Sequence, residues 1–520
     1  MRAIRFFCLL CLLTYAGTGS AWAAGESNAR SMGMGGAYTG VARNLDALDW
    51  NPANLGLSGG RSVVVGLPGM GFAFGNNVLS TGVYERYNGK YLTEKDKSDI
   101  LYRIQDGWRF DTSFRCDVFG LSVGRIGVKH WVEFASDFSL TQAPFEMLFR
   151  GTEAGKTISL DDLGAELALL DVTALSYAYP IPLSLVASET ERFGVTELAV
   201  GATVKYIVGG AYAKLETPEG RLVFDEYVMH GNGEAWVETA GVTWNLGSDK
   251  EDEDPDFHAG KMGGGFALDL GAAAVLNNNL TVSVGLLNLI GGVTWDTDCE
   301  RAVFSFQADS LNVVAVAEDT TDGDALYASS DTSYSIGSFE SNLPAVLNVG
   351  AACRLNIEEN GLLGLHPSPW LVKDVVVAMD WRQGLSNGLG VSTTPRIALG
   401  IENKTLRGII PLRYGVALGG SKDIVQTVGC GLVLGSFRWD TAWENRGHWP
   451  FVSSKGFSWA TRFQDSLNAL EKQFLTCCEK RGDGCAEGVG FPLLAFLPHC
   501  LNFKEFKEFK DCLRLPAGHF

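Results

Sequence analysis

The sequence predicts an all-β fold, a transmembrane antiparallel β-barrel, on three observations. A secretion signal opens the chain, period-two alternation runs from Arg61 to Phe463, and the strands are roughly ten residues long, which suits a tilted bilayer crossing. Alternation by itself fits a soluble β-sandwich too, whose apolar faces would meet each other rather than lipid. The chain-wide extent of the pattern and the aromatic residues at strand ends favour the barrel, which also leaves no unpaired edge in the bilayer.

The signal is residues 1–23. Arg2 and Arg5 form its positive start, Phe6 to Leu13 its apolar run, and Ala21-Trp22-Ala23 the small-residue cleavage site. No later stretch reads as a membrane helix. The best candidate, Leu167–Ala187, contains Asp171, Pro180 and Pro182. A net charge of −18 argues against nucleic acid as a partner, because a phosphate backbone needs a Lys/Arg face. The 63 glycines follow no fixed period, which excludes collagen.

Residues 24–60 are compact and punctuated by Gly, Asn and Pro, unlike a helix or a core strand. Residues 61–463 carry the strands. In "GFALDLGAAAVLNNNLTVSVGLLNL", Phe266, Leu268, Leu270 and Ala272 share one face, and Ala267, Asp269, Gly271 and Ala273 the other. Asn277–Asn279 makes the tight turn, since Asn tolerates the left-handed backbone. Ile397, Leu399 and Ile401 alternate with Arg396, Ala398 and Gly400. Leu412, Tyr414 and Val416 alternate with Arg413, Gly415 and Ala417. Further candidate strands are Ser62–Phe74, Ser113–Arg125, Gly127–Phe134, Leu198–Leu215, Leu222–His230, Ala235–Trp244, Val346–Leu355 and Val375–Trp381. Acidic loops separate some of them, among them Gly247–Gly264 and Ala317–Ser335. A mixture of tight and long connections is the barrel pattern. Asp269, Asp380, Arg396 and Arg413 are candidate polar groups of a barrel interior.

Residues 464–520 differ in character. "QDSLNALEKQFLTCCEKRGDG" predicts a helix capped by Asp465 or Ser466 and stopped at Gly482. Phe503, Phe506 and Phe509 recur every third residue. The segment holds Cys477, Cys478, Cys485, Cys500 and Cys512, so it is a small helical, cysteine-containing tail with a periplasmic protein as candidate partner.

"SMGMGGAYTGVARNLDALDWNPANLGL", Ser31–Leu57, resembles the N-terminal segment of the FadL family of outer-membrane transporters for long-chain fatty acids and other hydrophobic compounds. The resemblance rests on Gly33, Gly35, Gly36, Ala37, Tyr38 and Thr39, followed by Asn51, Pro52 and Ala53. It implies a barrel of about fourteen strands in the cell outer membrane. Ser31–Gly56 would fold inside the lumen as a hatch, with Gly33, Gly35, Gly36, Tyr38, Asn51, Pro52 and Ala53 as hatch or gate residues. It further implies uptake of a hydrophobic ligand that passes beside the hatch and leaves laterally into the outer-membrane lipid. The same segment looks like the start of PorV-type outer-membrane proteins, which would make the chain a binding or scaffold barrel for protein partners. The residues alone leave open whether the hatch is a gate or an inert plug.

Catalytic signatures are absent from the sequence. It contains no G-x-S-x-G, H-E-x-x-H or Walker pattern, and its seven histidines do not pair at ligand spacing. The acidic runs lack the spacing of an EF-hand loop. No enzyme activity, metal or cofactor is expected.

Overall fold

The computed structural model describes residues 28–466, apart from 61–62, 152–154, 186–192, 225–227, 244–255, 313–326, 358–367, 448–452 and five isolated positions. The signal and the tail from residue 467 onward lie outside the described residues, and with them the reading of the tail as helical.

Fourteen antiparallel staves close into a barrel. They are β1 (Val63–Gly66 and Gly69–Asn76), β2 (Trp108–Val123), β3 (Ile126–Leu140), β4 (Gly164–Pro180), β5 (Val195–Phe224), β6 (Gly263–Leu276) and β7 (Leu280–Trp295). Then follow β8 (Val346–Asn356), β9 (Asp374–Gly384), β10 (Arg396–Thr405), β11 (Ile410–Gly419), β12 (Ile424–Leu434), β13 (Phe437–Arg446) and β14 (Gly456–Ser466). Each stave pairs with the next, and β14 pairs back onto β1, with Val64 opposite Ser466 and Phe72 opposite Trp459. Asp465 and Ser466 are therefore the end of the last stave, which runs three residues past Phe463; the helix they are predicted to cap lies outside the described residues.

Alternation sorts side chains between two environments. On β9 to β11, Met379, Leu399 and Leu418 point out and are about half exposed, at 51%, 54% and 52%, while Ala378, Asp380, Ala398 and Glu402 point in and are buried. The apolar faces thus face the surroundings of the barrel, not a second sheet, as a lipid-facing wall requires. Two indoles on the outer face of β13 and β14 find partners. Trp439 donates to Thr461 at 2.9 Å and Trp459 to Thr441 at 3.2 Å, across the β13–β14 pair. An indole N–H facing hydrocarbon needs such a partner.

Connections differ between the two ends. At one end β2–β3, β6–β7 and β12–β13 join through turns as short as Gly124-Arg125, Asn277–Asn279 and Gly435-Ser436. Asn277 and Asn278 take positive φ there, +48° and +63°. At the other end, apart from the four-residue β11–β12 turn at Gly420–Asp423, the loops are longer and carry structure of their own. Helices Thr81–Tyr87, Glu94–Ile104 and Ala143–Arg150 bury a cluster around Val78, Ile100 and Ile104. The upper half of β5 extends as a hairpin with Val228–Ala240, which pairs with Cys299–Asn312, which pairs with Tyr327–Ser335. Two sequence expectations change here. Leu222–His230 falls on the ends of two paired strands, Val195–Phe224 and Val228–Ala240, and the acidic loop Ala317–Ser335 ends in strand at Tyr327–Ser335. No helix among the described residues is long and apolar enough to cross a membrane.

Among the described residues the ladder is interrupted between β7 and β8, where pairing skips Asn288–Gly291 and Leu343–Ala345, and again within β1. Between Gly66 and Gly69 of β1, Leu67 and Pro68 leave the regular ladder; Pro68 has no N–H to give. Ser62–Phe74 is therefore an interrupted strand. The neighbouring β2 bulges at the same level, where the β3 partner shifts between Asp117 and Phe119.

Candidate functional site

Residues 28–58 lie within the barrel. They are short turns of helix rather than formless: Ala29–Gly33, Asn44–Asp46, Ala47–Trp50 and Pro52–Gly56. Gly35 and Gly36 take φ of +68° and +84°, a conformation a side chain resists, and this reverses the chain before Tyr38. Asn51 caps the last turn by accepting from the Ala53 N–H at 3.0 Å, with Pro52 at its first position. The Asn51 amide also donates to Ala272 O at 3.0 Å, which ties the turn to β6.

The wall is cut away where this segment touches it. A Cβ on Gly201 would stand 2.5 Å from Ala53 N, on Gly400 2.5 Å from Met34 O and on Gly285 2.5 Å from Trp50 O. Met34, Ala37, Tyr38, Leu45, Leu48 and Ala53 are fully buried in consequence. Hatch and wall share one close-packed interior.

Buried ions fix the hatch at two opposite places. Near its start, Arg30 donates to both oxygens of Glu402, at 2.7 and 2.8 Å. Glu402 also accepts from Arg413 at 2.7 Å, and Arg413 lies 2.7 Å from Asp440. Near its end, Asp49 holds Arg115 at 2.8 Å and Lys129 at 2.6 Å, and both cations also meet Asp117. Asp46 bonds Arg462 and accepts from the Tyr38 hydroxyl at 2.6 Å. Burial alone would raise the Asp49 carboxyl, but Arg115 and Lys129 outweigh it and hold the group below its ordinary range. Burial pushes the Tyr38 hydroxyl up, so it stays protonated and donates.

The residues read from the sequence distribute as follows. Asp380 accepts from the backbone N–H of Tyr38 at 3.0 Å and of Thr39 at 2.7 Å. Arg396 donates to Gly35 O at 3.2 Å, and Arg413 reaches the hatch through Glu402. Asp269 stands apart from the hatch; it pairs with Lys205 at 2.9 Å and accepts from Asn288 N at 2.8 Å. Sequence reasoning missed Arg30, Asp46, Asp49, Arg115, Lys129 and Glu402. A signal existed: "NLDALDW" places two carboxylates in an apolar stretch, and Arg115, Asp117, Lys129 and Glu133 fall on the inward parity of their strands.

Toward the short-turn end, a cavity of about 530 Å³ lies between Asn54–Gly60 and the ends of β2, β4 and β5. Among the described residues no cluster of three His, Cys, Asp or Glu is placed to hold a metal.

A family model matches residues 56–399. The chain belongs to DUF5723, a family of unknown function. The DUF5723 match begins at the end of the hatch, so most of Ser31–Leu57 lies outside it. No curated protein matches the sequence. Among solved structures, the chain is similar to a TodX deltaS2S3 mutant monoaromatic hydrocarbon channel, at 12% identity and a TM-score of 0.46, covering 84% of this chain and 98% of that one. It is also similar to the toluene transporter TbuX of Ralstonia pickettii (13%, TM-score 0.41, 86% and 100% covered). A FadL homologue of Pseudomonas aeruginosa follows (10%, TM-score 0.42, 86% and 100%).

Proposed function

We propose that this DUF5723 chain is an outer-membrane barrel for uptake of hydrophobic small molecules, long-chain fatty acids among them, and not an enzyme. The ligand enters from the long-loop end, passes beside the hatch and leaves sideways into lipid. The observation that carries the reading is the wall break. Leu67 and Pro68 leave the ladder beside the β2 bulge, and behind them the hatch side chain Leu45 lies against Gly66 and Gly120, 2.9 and 3.0 Å from where their Cβ atoms would be. One leucine thus backs a place where the β1 ladder is interrupted, with the Leu67 N–H to Phe463 O at 3.2 Å bridging the gap to β14. The apolar outer face supports a bilayer setting, and the short turns favour a periplasmic position for that end. The resemblance of Ser31–Leu57 to the FadL family's N-terminal segment points the same way.

Proteoliposomes test this. The barrel should migrate differently on gels before and after heating, and should speed entry of labelled fatty acids, alkanes or monoaromatics over empty vesicles. No acceleration for any of the three classes would sink the reading.

A further inference from the structure

The outer face of β3 and β4 carries an ionisable cluster where lipid contact calls for apolar groups. Lys129 and Trp131 point inward and are buried, as are Leu170 and Val172, so His130, Asp171 and Thr173 point outward. His130 Nδ1 lies 3.4 Å from Asp171 Oδ1 and 3.0 Å from Thr173 Oγ1, and the His130 and Asp171 side chains are 34% and 47% exposed. Around them the face is apolar; Phe119, Leu175 and Tyr206 are all exposed. Titratable groups on a lipid face are costly and rare, and where they occur they serve function. Their location supplies one. Phe119, the residue ending the β2 bulge, is the direct cross-strand partner of His130, and Thr173 is His130's partner on the other side. His130 therefore stands one stave from the β2 bulge and two from the break on β1, with Asp171 and Thr173 one stave further.

We propose that His130, Asp171 and Thr173 form a receiving site for the polar head of an amphiphile as its chain passes into the bilayer. With the Thr173 hydroxyl donating to Nδ1, His130 presents Nε2–H as a donor, and Asp171 presents a carboxylate as an acceptor. A head that both donates and accepts satisfies both: a protonated carboxylic acid or an alcohol. A bare hydrocarbon satisfies neither. The site thus narrows the ligand class within the lateral-exit reading, on which it rests, to chains with a hydrogen-bonding head.

The test compares tritiated oleic acid, oleyl alcohol and hexadecane in proteoliposomes carrying wild type, H130L/D171L or Asp171→Asn. Replacing lipid-facing polar groups by leucine favours the barrel, so folding is not at risk, and heat-modifiable migration verifies it. The double variant should slow acid and alcohol entry about tenfold, the loss expected for one or two hydrogen bonds to charged groups, and leave hexadecane within about twofold. Asp171→Asn, which still accepts, should keep most of the acid rate. Equal loss for all three probes, or no loss for any, overturns the head site while leaving transport standing. A wild type that moves none of them overturns both readings.

Discussion

Arg30 and Glu402 stand 372 residues apart in sequence and form a two-point ion pair inside the barrel, at 2.7 and 2.8 Å. Glu402 is also the acceptor for Arg413, so one carboxylate holds two guanidinium groups. Glu402→Gln removes the charge between them and leaves Arg30 without its carboxylate, while Arg413 keeps Asp440, a loss of up to about 3–5 kcal/mol. The barrel should survive, while the hatch becomes sensitive to protease and the heat-modification midpoint falls. An unchanged midpoint would mean that the ion network does not hold the hatch.

Gly415 gives a steric test of the same packing. A Cβ there would collide with the Gly35 N–H, whereas a Cβ on Gly337 in a long loop would meet nothing within 4 Å. Gly415→Ala should cost about 1–3 kcal/mol or more and loosen the hatch; Gly337→Ala should leave the heat-modification midpoint in place. Equal midpoints would refute the close fit.

Asp49 sets a pH limit. Its folded carboxyl titrates below the ordinary value, because Arg115 and Lys129 overcome its burial. A depressed acid contributes stability that is fully present above its unfolded pKa, near 4, and is lost as pH falls through the lower folded value. Hydrogen exchange of the hatch amides should be flat in this contribution from about pH 5 to 8 and rise on acidification below about pH 4. Asp49→Asn should weaken the hatch at neutral pH and flatten the acid rise; a variant with the wild-type acid profile would assign that rise to other groups.

Leu45 bears on the exit. Leu45→Ala removes the side chain behind Gly66 and Gly120 and should cost about 2–5 kcal/mol. If the wall break is the way out, it should also quicken ligand entry into proteoliposomes. A destabilised barrel with unchanged entry would move the exit elsewhere.

The barrel was legible wherever its two faces meet different surroundings. Ile397, Leu399 and Ile401 face out while Ala398 and Gly400 press on the hatch, so the alternation of β10 is plain. On β4 it is muted, because Leu170 and Val172 face inward into an apolar cluster with Tyr212 and Trp295. That stave therefore reads as a near-continuous apolar run, closer in pattern to a membrane helix broken by Asp171 and Pro180 than to an alternating strand. The hatch motif announced itself through glycines and Asn51-Pro52, which are local requirements. Its partners did not, because Arg30–Glu402 and Asp49–Lys129 depend on pairings across the whole ring that no spacing encodes. The break at Pro68 was in plain view, but its meaning needed the bulge on β2, which only the paired register reveals.

The interrupted stave is also the one that closes the ring. β1 meets β14 only after all fourteen staves have been made, and the seam closes around Arg30, whose partner Glu402 sits on β10. Assembly therefore ends at a seam laid around an occupied interior, and contacts of such long sequence separation make that last step slow. With Leu67 and Pro68 in it, the seam zips in two short runs rather than one. The last joint formed in building the wall is thus also easier to part afterwards than an unbroken one, so biogenesis and release share a single edge.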